Sequence, residues 1–273
     1  MTPPTDSILP ILPISAVVLT YNSDRTLAHV LRSLQFCDEI VIVDSGSTDD
    51  TLFIAEHFSC RILQKKLNGF GEQKDFGVQH AKNDWIFVVD SDEIVSKKSR
   101  NEIFSEFKDG IPKATAYSLP VQLYFLGHPI RYSGQQSKRA LRLFNRNHAR
   151  FDKSLVHETV HADHPVHDFI HPLLHYSYLT LDDYFVKFSR YTSLGAKILS
   201  DGPRRNCKPK VIVSFVVHFI KFYFLKLGFL DGYHGFLWCL FSALSPVVKY
   251  AKYEELSIPG QTLVFNKAEY EFT

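Results

Sequence analysis

The chain has 273 residues, 45% hydrophobic, 22% charged and 14% aromatic, a composition that excludes fibrous and intrinsically disordered proteins. Its 31 basic and 29 acidic side chains leave a formal charge of +2, so no nucleic-acid partner is expected, since such binding depends on neutralising phosphates. The four cysteines form no CxxC pair, which argues against a zinc knuckle or a disulfide scaffold. Residues 1–13 contain four prolines and no basic residue, unlike a secretory signal, so we expect a cytoplasmic protein.

Residues 14–92 alternate short apolar runs with amphipathic stretches, a pattern typical of a parallel sheet covered by helices. Buried strands are predicted at 14–19, 39–43 and 85–89. Ser23 or Asp24 can cap the helix that follows the first strand. Further along, 117–125 and 139–144 alternate polar and apolar residues, which predicts an antiparallel extension of the sheet. The predicted fold is therefore α/β.

Acidic or polar side chains follow each of the three buried strands: Asn22, Asp44, and the pair Asp90 and Asp92. In an open parallel sheet the ligand crevice lies at the carboxyl ends of the strands, so we expect these side chains to share one site. Two carboxylates one residue apart can hold a hard divalent cation and leave positions for diphosphate oxygens. A capped turn is the simpler alternative for the acidic pair.

A dinucleotide-binding dehydrogenase would also place an acid after its second strand. However, residues 20–24 contain no glycine, so the backbone cannot approach a pyrophosphate as a G-x-G-x-x-G turn does. The chain also contains no P-loop motif.

An HExxH match runs from His157 to His161 and suggests a zinc protease, which needs both histidines on one helix. Thr159 and Val160 are β-branched, Pro165 interrupts the continuation, and the only methionine is Met1, so no Met-turn exists. We therefore expect most histidines between residues 148 and 175 to be surface or loop residues, with one or two of them facing the site.

Near the C-terminus, residues 181–199 are predicted to be helical, and two apolar segments follow at 211–230 and 235–248. His218, Lys221 and Lys226 interrupt the first segment on one side, which disfavours a spanning helix and favours one lying in a membrane surface. A basic cluster from Arg204 to Lys210 precedes it and would attract anionic lipid. A buried helix of the domain remains the alternative.

Four motifs occur in the order VLTYN at 18–22, VIVDSGSTD at 41–49, DW at 84–85 and VDSDE at 89–93. With them the chain resembles family-2 glycosyltransferases, which have a GT-A fold. VHE at 156–158, LH at 174–175, KFSRY at 187–191 and GFLDGYHG at 228–235 look like the bacterial subgroup that includes lipopolysaccharide core β-1,4-glucosyltransferases. The resemblance covers about residues 14–255.

The resemblance implies a role for each matching residue. Asp90 and Asp92 would form the DxD pair that holds Mg²⁺ or Mn²⁺, and Glu158 would be the catalytic carboxylate, although His157 replaces the acidic residue that usually precedes it. Asp44 would contact the uracil. The implied nucleotide-binding residues are Thr20, Asn22, Asp44, Lys74 and Asp90.

The resulting prediction is an inverting, metal-dependent enzyme that moves a hexose, expected to be glucose, from a UDP-sugar to a lipopolysaccharide-core or related glycolipid. It would act as a peripheral protein on the cytoplasmic face of the inner membrane. The predicted organisation is a tail (1–13), a nucleotide-sugar-binding half (14–110), an acceptor and catalytic half (111–200) and a helical membrane-associated region (201–273). A polyprenyl-phosphate sugar transferase and a non-catalytic nucleotide-sugar-binding scaffold are the alternatives.

Overall fold

The computed structural model describes residues 10–67, 69–110, 112–151, 160–163, 165–202 and 208–256. Its described residues form two compact units. The first contains those up to 131 together with 135–177, and the second contains 132–134 together with those from 178 onward. The functional boundaries predicted after residues 13, 110 and 200 stay predictions.

The first unit is built on strands, with four helices in its N-terminal part. The helices are α1 (Asp24–Ser33), α2 (Thr51–His57), α3 (Phe70–His80) and α4 (Lys97–Phe107). The strands are β1 (Leu12–Thr20), β2 (Cys37–Asp44), β3 (Arg61–Gln64), β4 (Trp85–Asp90), β5 (Glu93–Val95), β6 (Ala116–Phe125), β7 (His128–Pro129), β8 (Arg139–Asn145), β9 (Ala149–Phe151), β10 (Val160–Ala162), β11 (His167–Asp168) and β12 (Leu173–Tyr178).

The main sheet has the strand order β3-β2-β1-β4-β8-β6-β12-β5 among the described residues. The first four strands are parallel, whereas β8 pairs antiparallel with both β4 and β6. The α/β sheet with an antiparallel extension is therefore confirmed. In register, Thr20 lies opposite Asp44 and Leu19 opposite Asp90, so the polar residues that end β1, β2 and β4 lie at one edge.

Both faces of the parallel strands are buried. Along β1, Ile14, Ala16 and Val18 join one apolar cluster and Val17 joins the other, and all four are inaccessible to solvent. Helix α3 approaches the second face so closely that a Cβ at Gly77 would lie 2.4 Å from Cγ1 of Val17. This explains why the buried strands are continuous apolar runs rather than alternating ones.

The described part of the HExxH segment is extended. Residues Val160–Ala162 form β10, which pairs antiparallel with β9. Residues 157–159 and His164 lie outside the described residues. Because a zinc protease needs both of its motif histidines on one helix, the strand at His161 agrees with setting that alternative aside.

The second unit contains helices α5 (Leu181–Ser200), α6 (Lys208–Ile220) and α7 (Gly232–Leu256). A π-helical turn at Lys221–Leu225 and a 3₁₀ turn at Gly228–Asp231 separate α6 from α7. Thr180 begins α5 in a capping box with Asp183, which confirms the helix predicted at 181–199.

The apolar segment 211–230 was expected to be one helix, but the chain turns within it. Leu227 has a φ of +56°, and the backbone at Gly228 and Gly235 is tightly packed: a Cβ at Gly235 would lie 2.2 Å from the Gly228 carbonyl oxygen. The motif at 228–235 is therefore a corner between two helices, and its glycines are required by close approach.

Among the described residues, no single helix combines the length and apolar composition needed to cross a bilayer. Two helical segments, Val213–Leu225 and Gly228–Leu256, meet the length and composition requirements only when they are taken together. They are bent by 71° at the corner between them.

Candidate active site

Asp44 organises the turn that follows β2. Its buried carboxylate accepts hydrogen bonds from Thr20 Oγ1 (2.9 Å) and Ser47 Oγ (2.5 Å) on Oδ1, and from the backbone N–H groups of Gly46 (2.8 Å) and Ser47 (2.9 Å) on Oδ2. Four donors fill the acceptor capacity of a carboxylate. Asp44 therefore fixes the loop and joins it to the end of β1.

Asn22 connects the turns after β1 and β2. Its backbone is left-handed, with a φ of 48° that asparagine tolerates better than most residues. Its N–H donates to Ser47 Oγ, and its Oδ1 accepts from the N–H of Thr48, both at 2.9 Å. Next to it, the hydroxyl groups of Ser23 and Ser91 lie 2.8 Å apart, which links this turn to the acidic loop after β4. The polar ends of three strands thus form one connected edge.

Ser23 occupies the N-cap position of α1, as predicted, but its side chain makes no capping hydrogen bond. Instead its N–H donates to Thr51 Oγ1 at 2.7 Å while its hydroxyl contacts Ser91. Ser23 therefore links neighbouring loops and does not cap α1 with its side chain.

Asp90 lies between two cations. Its Oδ1 is 3.4 Å from Lys74 Nζ, and its Oδ2 accepts a hydrogen bond from Arg142 Nη2 at 2.8 Å. The same Nη2 donates to Glu93 Oε1 at 2.6 Å, while Glu93 Oε2 accepts from the N–H of Asp90 at 3.1 Å. Lys74, Arg142 and Glu93 are largely buried, whereas the side chain of Asp90 is 34% exposed, so the cluster meets solvent mainly at Asp90.

The two acids of the cluster differ in the direction in which their pKa values are shifted. Burial by itself would raise the pKa of Asp90, but the charges of Arg142 and Lys74 outweigh it and hold that pKa well below its usual range. Burial raises the pKa of Glu93 above its usual range despite the opposing charge of Arg142, and the neighbouring charge of Asp90 adds to the rise. Asp90 is therefore the firmly ionised member.

Asp92 lies beside a histidine of β12, the strand that pairs with β5. Its Oδ1 lies 3.3 Å from Nε2 of His175 on β12, and the carbonyl oxygen of Asp92 accepts the N–H of Tyr176 at 2.8 Å. Burial would lower the pKa of His175, but its hydrogen bond to Asp92 and the nearby acidic charges raise that pKa above its usual value. Within the described residues, no group of three or more His, Cys, Asp or Glu side chains forms a ready-made metal cage.

The sequence also matches known proteins. Residues 15–162, more than half of the chain, match the model of glycosyl transferase family 2. The chain belongs to this family. Its activity is therefore that of a glycosyltransferase, and the α/β sheet described above is the GT-A fold expected from the resemblance.

The chain is 28% identical over 252 residues to the lipopolysaccharide core biosynthesis glycosyltransferase LpsC of Rhizobium meliloti, covering 90% of this chain and 93% of LpsC. Among solved structures it is similar to residues 1–349 of Staphylococcus aureus TarS, at 16% identity, with 89% and 88% of the two chains covered and a TM-score of 0.40. A glucosyl-3-phosphoglycerate synthase of Mycobacterium tuberculosis shares 21% identity over 41% of this chain and 43% of that one, with a TM-score of 0.32.

In this glycosyltransferase, the structure brings five of the predicted site residues to one edge of the sheet and pairs Asp90 with Lys74 there. Glu158 lies outside the described residues. Sequence reasoning did not assign Arg142, Glu93 or His175 to the site. Two of these residues had a signal in the sequence that could have indicated them: Glu93 directly follows the DxD pair, and His175 belongs to the LH motif of the resemblance. For Arg142 the sequence predicts only that it lies in a strand.

Proposed function

We propose that this family-2 glycosyltransferase transfers a hexose, expected to be glucose, from a UDP-sugar to a hydroxyl group of a lipopolysaccharide-core or related glycolipid. One observation carries the proposal: the pair Asp90 and Asp92 lies at the same sheet edge as the turn that Asp44 and Asn22 organise. A nucleoside diphosphate needs a polar pocket and a charged diphosphate site side by side. The similarity to LpsC supports the choice of acceptor.

For the nucleoside, we propose a pocket lined by Thr20, Asn22 and Asp44, with Asp44 directed at the uracil. The carboxylate already accepts four hydrogen bonds, so a contact with the base would replace one of them. The donors best able to give way are the hydroxyl groups of Thr20 and Ser47, because each can turn its hydrogen away without moving its oxygen, whereas the two backbone donors are fixed by the turn.

For the diphosphate, we propose that Asp92 and His175 hold Mg²⁺ or Mn²⁺. Asp92 Oδ1 and His175 Nε2 lie 3.3 Å apart, so one carboxylate oxygen and one imidazole nitrogen would be available together to hold the ion. His175 must release its proton to become a ligand. Both oxygens of Asp90 already face cations, so Asp92 is the better ligand of the pair, and a metal bond to Asp90 stays a prediction.

When bound, the metal would supply positive charge for the leaving diphosphate. Lys74 and Arg142 keep Asp90 ionised and add fixed positive charge at the same edge. Such preorganised charge is worth more here than in water, because the side chains of Lys74 and Arg142 are largely buried.

For the displacement at the anomeric carbon, we propose that Glu158 takes the proton of the acceptor hydroxyl. Glu158→Gln keeps the shape of the side chain but cannot accept that proton, so kcat should fall about 10²- to 10⁴-fold while UDP binding is unchanged. Turnover with UDP-glucose and a glycolipid acceptor, measured beside calorimetric titration with UDP, is the test of the proposed function.

Each other outcome of this experiment points elsewhere. Equal losses of turnover and UDP binding would make Glu158 structural. Full turnover in the variant with a polyprenyl phosphate would favour the alternative transferase, whose acceptor needs no base. UDP binding by the wild type without turnover on either acceptor would favour the non-catalytic scaffold.

We also propose that the enzyme binds the cytoplasmic face of the inner membrane through an apolar face of its second unit. This face consists of Val213, Val216, Val217, Ile220 and Phe224, which are all exposed and are each three or four residues from another member. Exposed Lys221 and Lys226 lie at its end. An exposed apolar stripe with neighbouring lysines is the chemistry that binds a helix in the plane of an anionic bilayer.

Sedimentation with anionic vesicles tests this proposal. The wild type should bind them and be at least partly released by high salt or alkaline carbonate, and replacing Lys221 and Lys226 with Glu should weaken binding. Val217→Glu with Ile220→Glu should weaken it further, because charge is then placed in the acyl boundary. Phe53→Glu, at an exposed position on α2, is the matched control and should bind as the wild type does. Resistance to carbonate would indicate a spanning segment, and a wild type that ignores vesicles would contradict the proposal.

A further inference from the structure

The helices α5, α6 and α7 of the second unit, with the end of β12, enclose a cleft of about 400 Å³. This volume lies within the range of small-ligand sites in proteins. Most of its wall is aromatic. The rings that line it belong to Tyr178, Tyr184, Phe188, Tyr191, Phe222 and Trp238.

The aromatic wall is held in place by its own packing. Tyr184 is buried, and its ring centroid lies 5.0 Å from that of Tyr178 and 6.1 Å from that of Trp238. Tyr191, by contrast, is more than half exposed. Ordered ring faces offer flat apolar surfaces to a ligand at little cost in side-chain entropy, and the C–H face of a sugar ring is such a ligand.

Several hydrogen-bonding groups accompany the rings. His218 Nδ1 lies 2.8 Å from the carbonyl oxygen of Ser214, which can only accept, so this nitrogen carries the proton and Nε2 of the neutral ring is an acceptor. Pro246 lies inside α7 and has no N–H, so the carbonyl oxygen of Ser242 lacks its helical donor. Ser245 and Ser242, whose side chain forms a hydrogen bond with that of Tyr184, also line the cleft. This set is suited to the hydroxyl groups of a sugar.

Lys249 adds one positive charge. Its stem packs against Gly195, where a Cβ would lie 2.9 Å from Cδ of the lysine, and its Nζ lies 4.9 Å from the ring centroid of Tyr250. Among the described residues it has no ion-pair partner. Lys252, one turn further along α7, differs: its Nζ donates to Ser189, Thr192 and Ser193 on α5. Lys249 is therefore the cation that remains available to a ligand in this cleft.

We propose that the cleft binds a sugar that carries one carboxylate or phosphate group, with the ring against the aromatic wall and the acidic group on Lys249. The proposal rests on the proposed function in one respect, because such a sugar would belong to the glycolipid acceptor. Aromatic faces and hydroxyl groups alone would suit a neutral sugar, and the cation selects the acidic one.

Binding can be measured by saturation-transfer NMR on the full chain, with UDP and the diamagnetic ion Mg²⁺ present in excess to fill the donor site. Glucuronic acid and glucose 6-phosphate should bind at least about tenfold more tightly than glucose, because a charge-assisted hydrogen bond is the strong kind. Inorganic phosphate alone, which lacks the ring, should not compete. If phosphate displaces both acidic sugars, the site binds anions only and the proposal is wrong.

Two lysine variants separate the cleft from general surface charge. Lys249→Gln should abolish the tenfold preference and raise the acceptor KM about tenfold with an unchanged donor KM. Lys197→Gln, at an exposed position on α5, should change neither. An acidic-sugar preference that survives in Lys249→Gln would contradict the proposal.

Tyr191→Ala removes an exposed ring of the aromatic wall. It should weaken the binding of glucuronic acid, glucose 6-phosphate and glucose to the same extent, and unchanged binding of these sugars would also contradict the proposal.

The two proposals can fail independently. Transfer with an unchanged acceptor KM in Lys249→Gln would overturn the acidic-sugar site and leave the glycosyl transfer standing. If the protein binds acidic sugars through Lys249 but transfers nothing from UDP-glucose, the acidic-sugar site stands and the proposed function is overturned.

Discussion

Asp92→Asn should lower the rate of sugar transfer about 10³-fold at saturating UDP-glucose and Mn²⁺. A metal that neutralises the leaving diphosphate is worth several kcal/mol of transition-state stabilisation, and each 1.36 kcal/mol is a factor of ten. The amide of Asn keeps the size of the side chain and its contact with His175, so the fold should persist. Electron paramagnetic resonance should also show Mn²⁺ binding in the presence of UDP weakened at least tenfold.

Asp109→Asn is the matched control for Asp92→Asn, because it removes one exposed carboxylate of the first unit without touching the site. It should leave both transfer and Mn²⁺ binding unchanged. Full activity of Asp92→Asn in the presence of EDTA would contradict the metal role. A loss of transfer with intact UDP-dependent Mn²⁺ binding would show that Asp92 acts on the sugar or the nucleotide instead.

Arg142→Met should lower the free energy of unfolding by about 3 to 5 kcal/mol, which is a large part of the stability of most domains. The guanidinium lies between Asp90 and Glu93, and removing it leaves the fully buried Glu93 and the partly buried Asp90 without their shared partner. Methionine keeps the apolar stem, so the loss reports the charge rather than the volume. Urea denaturation followed by circular dichroism measures it.

Lys82→Met provides the comparison for Arg142→Met, because its ion pair with Asp38 is exposed and screened by water, so its loss should change the free energy of unfolding little. Adding Glu93→Gln to Arg142→Met removes one of the orphaned charges and should recover part of the stability. Equal losses for the Arg142 and Lys82 variants, or no recovery in the double variant, would show that the cluster is solvated and does not hold the site together.

The parallel half of the fold was predictable because burial on both faces leaves a strong local signal. The apolar runs became β1, β2 and β4, and each ends where the sequence changes to Thr20, Asp44 or Asp90. The convergence of these residues follows from parallel pairing alone. Arg142 and His175 could not be found in this way. They lie on half-buried strands far along the chain, and only the antiparallel order β4-β8-β6-β12 brings those strands beside the acidic loop.

For the second unit, the sequence by itself determined that the apolar segment after residue 211 is interrupted by His218, Lys221 and Lys226, and is helical in character. Only the tertiary structure decided which face is exposed. His218 and Phe222 turn into the cleft, while the apolar face points to solvent. There are two physical reasons. The close packing of Gly228 against Gly235 ends the helical segment in a corner, and the π-helical turn at Lys221–Leu225 winds more widely than the ideal 3.6-residue period on which the sequence pattern is read.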